Sequence, residues 1–195
     1  MPYPLKYLFA NSPTMKSVAL ALISLVLLVI SLGQKTVSAQ HPALESAVLY
    51  NDFIVDEQNK IGVLLISFQE QLNQEVFDEA ALWAIHTSLL RQIDESTALV
   101  NALPAFEGNE ELRDAAAGLL GFYKNTVGDN YKILLEIFIE GTFTDPEMET
   151  LNKILEATTA EEAIYDGRYQ DAQAAFATAH GMQLMENELN EHFNE

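Results

Sequence analysis

The sequence predicts an all-α fold: an antiparallel up-down four-helix bundle of long helices that follows an N-terminal signal segment. Three observations predict it. Beyond residue 40 the apolar side chains recur at three- and four-residue intervals, and strand-type alternation appears nowhere in that part. Pro, Gly and capping residues divide it into four segments of about 25 to 35 residues, the lengths of bundle helices joined by short turns. Composition agrees, since 195 residues with 49% apolar and 20% charged side chains suffice for one domain with a core and are too apolar for wholesale disorder.

The first 39 residues stand apart. Residues 17–32 are uncharged and strongly apolar, and follow Met15-Lys16 and the earlier Lys6. At about 1.5 Å per residue a helix of that length spans about 24 Å, short of the roughly 30 Å hydrocarbon core of a bilayer. Val37 and Ala39 then offer the modest side chains a signal peptidase accepts, so residues 1–39 are expected to be a signal peptide and the mature chain to start at Gln40. The rival reading retains the segment as a membrane anchor. Met15-Lys16 is a more usual start than Met1, which would make residues 1–14 an over-extension of the reading frame. The chain has no cysteine, so a disulfide framework, a thiolate metal site and a thiol nucleophile are excluded, and a lipid anchor of the bacterial kind, attached to a cysteine directly after the signal, is disfavoured.

The whole chain carries 29 acidic and 10 basic groups, net −19; cleavage would remove Lys6, Lys16 and Lys35 and no acid, leaving 29 against 7, net −22. Such a surface favours solubility and repels anionic lipid and nucleic acid, whose phosphates need clustered Lys and Arg.

Helix by helix, residues 43–73 contain no Pro and one Gly, and carry two seven-residue series: Ala47, Ile54, Ile61, Phe68, and Leu44, Asn51, Gln58, Leu65, Leu72. That spacing is the stripe of a bundle helix. Asn51 and Gln58 interrupt it, and as inward amides they must find partners or cost a few kcal/mol, either fixing register or contacting a ligand. Residues 75–102 repeat the pattern with Leu82, Ile85, Leu89, Ile93 and Val100, ahead of Leu103. The turn Pro104-Ala105-Phe106-Glu107-Gly108-Asn109 follows, with Asn109 as the expected N-cap. The third helix runs through Leu112, Ala116, Leu119, Phe122, Val127, Ile133, Leu134, Ile137 and Phe138, weakened by Gly118, Gly121 and Gly128, with a kink or break at Gly128-Asp129-Asn130. Gly141 ends it. Thr144-Asp145-Pro146-Glu147 opens the fourth, with Asp145 as cap and Pro at the first position. Its stripe is Met148, Leu151, Leu155, Tyr165, Ala172, Phe176 and Ala179, and Thr159-x-x-Glu162 has the spacing of a capping box, predicting a stop and restart there. Residues 40–181 are thus the bundle domain, and residues 182–195, with four Glu, three Asn and no Lys or Arg, an acidic flexible tail.

Three stretches carry a resemblance: residues 50–58, opening Tyr50-Asn51-Asp52-Phe53; residues 102–115, around Pro104-Ala105-Phe106-Glu107-Gly108-Asn109; and residues 174–182, ending Ala179-His180-Gly181-Met182. Together they resemble a family of predicted bacterial helical surface or envelope proteins of unknown function. The resemblance implies an exported helical domain and supplies no catalytic residues. Members of that family often begin with a lipid-modified cysteine, which this chain lacks.

Known bundle chemistries find little purchase. Carboxylate-bridged metal sites use Glu-x-x-His, and the residues three before His41, His86, His180 and His192 are Ser38, Trp83, Ala177 and Leu189. His180, Met182, Met185 and His192 form a loose group of the kind soft copper uses, at irregular spacing. His86, among Leu82, Trp83, Ile85 and Leu89, is expected at a core boundary. Gly167 to Ala179 imitates one helix of a tetratricopeptide repeat, with no second copy 34 residues earlier. No nucleophile elbow, phosphate loop or dinucleotide fingerprint occurs.

The expectation is an exported, non-enzymatic bundle in the periplasm, on the cell surface or secreted, with no catalytic, cofactor or metal residues, whose partner is an unidentified protein or envelope component. No nucleic acid is expected, nor any membrane contact by the mature domain unless the N-terminal segment is retained. The alternative is a carrier or sensor of a small apolar ligand or metal within the bundle, with Asn51, Gln58 and His86 as the interior candidates and the glycines of the third helix leaving room beside the aromatic side chains.

Overall fold

The structure is a computed structural model that describes residues 46–74, 78–140 and 144–184. The expected signal segment, with its alternative start at Met15, lies outside the described residues, as do His41, Gly141, Met185 and His192. Four helical rods pack as an all-α bundle, and no strand occurs among the described residues. They are α1 (Ala47–Leu72), α2 (Glu79–Asn101), a third rod made of α3 (Glu111–Asn125), a π-helical turn (Thr126–Tyr131) and α4 (Lys132–Glu140), and α5 (Asp145–Ala179).

Each boundary has a local cause. Ser46 caps α1 by accepting from the Leu49 N–H, and Asp78 caps α2 by accepting from the Ala81 N–H. Between α2 and α3 the chain reverses in a tight turn: Phe106 and Asn109 exchange backbone hydrogen bonds of 2.9 Å, and Glu107 and Gly108 both take positive φ, 50° and 84°. That is the backbone of a type I′ turn, which glycine adopts freely and glutamate does not. The N-cap of α3 is Glu110 rather than the expected Asn109, and its side chain makes no cap bond; Asn109, one residue earlier, accepts from the Glu111 N–H through Oδ1 at 2.7 Å.

Two expectations about α5 are corrected. Its cap is Thr144 rather than Asp145, in a capping box with Glu147, so the acid that completes the box sits one turn inside the helix. The second apparent box does not stop the chain: α5 is continuous for 35 residues, the Thr159 hydroxyl bonds back to the Leu155 carbonyl, and Glu162 turns inward. The helix ends where it should, at Gly181 with φ 63°. The Met182 N–H reaches the Ala177 carbonyl at 2.8 Å and the Gly181 N–H the Thr178 carbonyl at 3.3 Å, the paired bonds of a Schellman motif. Met182 also packs on the core, and the expected acidic tail from residue 185 onward lies outside the described residues.

Apolar packing follows the stripes: Ile54, Ile61, Leu65 and Phe68 on α1 meet Leu82, Leu89, Ile93 and Val100 on α2, and Leu112, Ala116, Leu119 and Leu120 on α3. The π turn keeps the third rod continuous where a break was one possibility, but it changes the rod's phase. Ile133 is left exposed and Tyr131, Leu135 and Phe138 are the side chains that go inside. At one end of the bundle the three stretches that carry the resemblance meet. Tyr50 of α1, Phe106 of the turn, and Phe176 and His180 of α5 pack ring on ring at 4.5 to 5.7 Å, and the Tyr50 hydroxyl donates to the Pro104 carbonyl. Adjacent rods pack closely from α1 through α2 and α3 to α5, whereas α1 and α5 touch only sparingly. That fourth seam holds the site described next.

Candidate functional site

The inner face of α5 is polar. Thr158, Glu162, Asp166, Tyr169 and Gln173 are all buried, at spacings of four, four, three and four residues that put them on one helical face. The face of α1 opposite supplies Asn51 and Gln58, buried at 2% and 4% exposure. One bond sets the register between them: Gln173 Nε2 donates to Asn51 Oδ1 at 2.8 Å, deep in the core. In an antiparallel pair, moving seven residues along each helix from that bond brings Gln58 level with Asp166, and four more bring the buried Gly62 level with Glu162. Tyr123 of α3 and Tyr131 of the π turn close the cluster from the third rod, and Asn130 Nδ2 donates to the Thr158 hydroxyl at 2.8 Å.

The ladder is satisfied at one end and open in the middle. Gln58 Nε2, Glu162 Oε1, Asp166 Oδ1 and Tyr169 Oη are buried without a hydrogen-bond partner, although Gln58 lies near enough to Tyr169 to favour its ionised form. Asp166 keeps one bond, from Gln170 Nε2 to its other oxygen at 3.0 Å. Among the described residues no ion pair reaches Glu162 or Asp166. Desolvation, joined by the negative charge of Asp166, pushes the Glu162 carboxyl up to about 8, and desolvation raises Asp166 to about 6 against the pull of the Gln170 bond. Burial likewise holds the phenols of Tyr123, Tyr131 and Tyr169 well above their ordinary value. At neutral pH the pair therefore shares about one proton, and the phenols are neutral donors.

The three interior candidates separate. Asn51 and Gln58 join one seam, Asn51 paired across it and Gln58 carrying an open donor. His86 is elsewhere, and deeper than a core boundary: it is 5% exposed, edge-on to Trp83 with ring centroids 5.5 Å apart, and its Nε2 donates to the Val127 carbonyl at 2.8 Å. That carbonyl belongs to the π turn, so the bond ties α2 to the third rod at the point where its winding changes. The glycines of the third rod have different surroundings: a Cβ on Gly118 would sit 3.8 Å from the Tyr165 ring, and one on Gly121 would have nothing within 4 Å. Of the loose His/Met group, His180 packs against Phe176 with the rings tilted at 52°, and its Nδ1 lies 4.0 Å from the Glu107 carboxylate. Among the described residues no three of His, Asp and Glu converge as a metal-binding group.

Sequence reasoning did not place Glu162, Asp166, Tyr169 or Gln173 in an interior polar site; Glu162 was expected as a cap acid. The available signal was the seven-residue step from Asp166 to Gln173, which mirrors Asn51 to Gln58 on α1. Comparison of the chain with protein-family models, with curated proteins and with solved structures finds no match in any of the three.

Proposed function

We propose that this chain is an exported, non-enzymatic helical-bundle protein of the bacterial envelope or surface, of the kind its Pro104-to-Asn109 turn resembles. On this reading it works by binding another protein or an envelope component through its outer faces. The observation that carries the reading is the division of polar groups. Of the three interior candidates, Asn51 and His86 are closed by bonds within the fold and Gln58 keeps an open donor, while every described carboxylate other than Glu57, Glu162 and Asp166 reaches the surface. A strongly acidic exterior is then the dominant chemical feature offered to a partner. Export is supported by residues 17–32, and no described helix is long and apolar enough to cross a membrane. The non-enzymatic part comes from the sequence, which carries none of the catalytic motifs sought.

Fractionation with N-terminal sequencing tests location: the expected product starts at Gln40 and leaves the cytoplasm, and a cytoplasmic product retaining residues 15–39 overturns the reading. Binding of the purified protein to isolated envelope fractions tests the rest. Retention on envelope fractions should weaken as salt rises from about 0.05 to about 0.5 M, because screening shortens the reach of exposed charge. Retention that is indifferent to salt would remove the acidic surface from the account.

A further inference from the structure

Glu162 and Asp166 sit one helical turn apart on the buried face of α5, and each has an inner oxygen without a donor. The groups that face or flank them can be named element by element. On α1 there is Gln58; on α3, Tyr123; on the π turn, Tyr131; on α5 itself, Tyr169 and Gln170. Arg168, two residues beyond Asp166, is exposed and lies over the Tyr165 ring at 5.9 Å. None of these neighbours supplies a positive charge to the interior. When both carboxyls ionise, two like charges face each other in a medium of low polarity, and nothing in the cluster neutralises them. The stress falls on the α1–α5 seam, which is the sparsest of the four and already holds the open Gln58 amide and Tyr169 hydroxyl. Separation there lets water reach the open inner oxygens of Glu162 and Asp166.

We propose that the α1–α5 seam is a proton-operated latch: a proton held by the Glu162–Asp166 pair keeps α5 docked on α1, and its loss releases α5 around residues 158–173 and admits water to the buried tyrosines. Both carboxyls bind protons more tightly docked than solvated. Docking is therefore strongest below the ordinary carboxylate range and weakens as pH rises through about 6 and then about 8. The latch goes beyond the envelope reading and is independent of it, since it operates wherever the protein resides.

Hydrogen exchange of the purified full chain, corrected for the intrinsic pH dependence of exchange, reads the latch directly. Between pH 5.5 and 8.5, peptides spanning residues 158–173 should lose at least about tenfold in protection while those of α2 change little, the pattern of local rather than global opening. E162Q/D166N should show at pH 8.5 the protection that the wild type shows at pH 5.5. The surface control E156Q/E161Q, which removes as much charge from exposed positions of the same helix, should respond like the wild type. If the double variant does not fold, E162Q alone decides, and it should move the midpoint of opening by about one pH unit or more. Equal loss of protection in all four rods, no loss in the wild type, an unchanged response in E162Q/D166N or an unmoved midpoint in E162Q each overturns the proposal.

Discussion

The Asn51–Gln173 bond is the most direct handle on what the polar seam does for the fold. Both side chains are nearly inaccessible, at 2% and 3% exposure, and joined at 2.8 Å. Replacing Asn51 by the similarly shaped leucine leaves the Gln173 amide buried without its acceptor, and replacing Gln173 by methionine leaves Asn51 Oδ1 without its donor. Each orphaned group costs about 2 kcal/mol, within the usual range for a buried unsatisfied amide. N51L/Q173M removes both and fills the same volume with apolar atoms, so it should cost under about 1 kcal/mol. The singles are then far from additive, with a coupling of about 3 kcal/mol. Urea unfolding followed by circular dichroism resolves this easily, because about 2 kcal/mol moves the midpoint by about 1 M at the slopes typical of small domains. Additive singles, or singles that cost nothing, would refute the claim that the amides satisfy one another. If the pair also fixes register, the double variant should keep its stability but broaden its amide NMR spectrum; sharp lines would leave the bond with no pinning role.

The remaining predictions concern helices and turns. Gly121→Ala should raise stability by about 0.5 to 1 kcal/mol, seen as a higher Tm, because helical glycine is disfavoured and a Cβ there meets nothing within 4 Å. Gly108→Ala should lower it by about 1 to 2 kcal/mol, since φ 84° in the turn is open to glycine and strained for alanine. The Glu147 carboxylate is held below its ordinary range by the Thr144 backbone N–H and hydroxyl. A lowered folded value means that the box stabilises above the ordinary carboxylate range and loses its effect as pH falls through the folded value. Glu147→Gln should therefore reduce the acid-side dependence of Tm, measured from pH 5 down to pH 2.

What could be read from the sequence, and what could not, divides along chemical lines. Apolar periodicity gave the four rods and most inward side chains of α1 and α2, because burying those residues is the main force and leaves a plain 3-4 rhythm. On α5 the apolar rhythm misleads for a physical reason. The inward face from Thr158 to Gln173 is polar, so a hydrophobic stripe steps around it, and Glu162, three residues after Thr159, imitates a cap acid. A buried carboxylate becomes recognisable only when the opposite helix is known, and that pairing is a tertiary fact. The third rod failed differently. Gly128-Asp129-Asn130 does perturb the helix, but as a π turn that keeps the chain continuous and rotates everything after it, so Ile133 moves out and Leu135 in. His86 lies deeper than its sequence neighbours suggest because its partner, the Val127 carbonyl, sits 41 residues away in that same turn and is invisible to local spacing.

Two glutamates of this bundle are almost equally buried, Glu57 at 2% and Glu162 at 4%, and the contrast between them argues against a purely structural account of the second. Glu57 has what a buried carboxylate needs: the Lys60 ammonium reaches in from a half-exposed side chain, and the Ser96 hydroxyl, itself held by Gln92, donates to its other oxygen at 2.8 Å. Glu162 has a second acid instead. With its carboxyl raised from 4.5 to about 8, keeping an ionisable group there costs up to about 3 kcal/mol at pH 7, at 1.36 kcal/mol for each pH unit above 4.5. Glutamine keeps the shape and cannot ionise, so Glu162→Gln should stabilise the protein by up to about 3 kcal/mol at pH 7. The gain should fall to nothing toward pH 4.5 and level off above pH 8. A position selected for stability alone would carry the amide. If urea unfolding across pH 4.5 to 8.5 shows instead that Glu162→Gln destabilises at pH 7, or that the gain is flat with pH, then the carboxyl is compensated in the fold and the seam does not respond to protons.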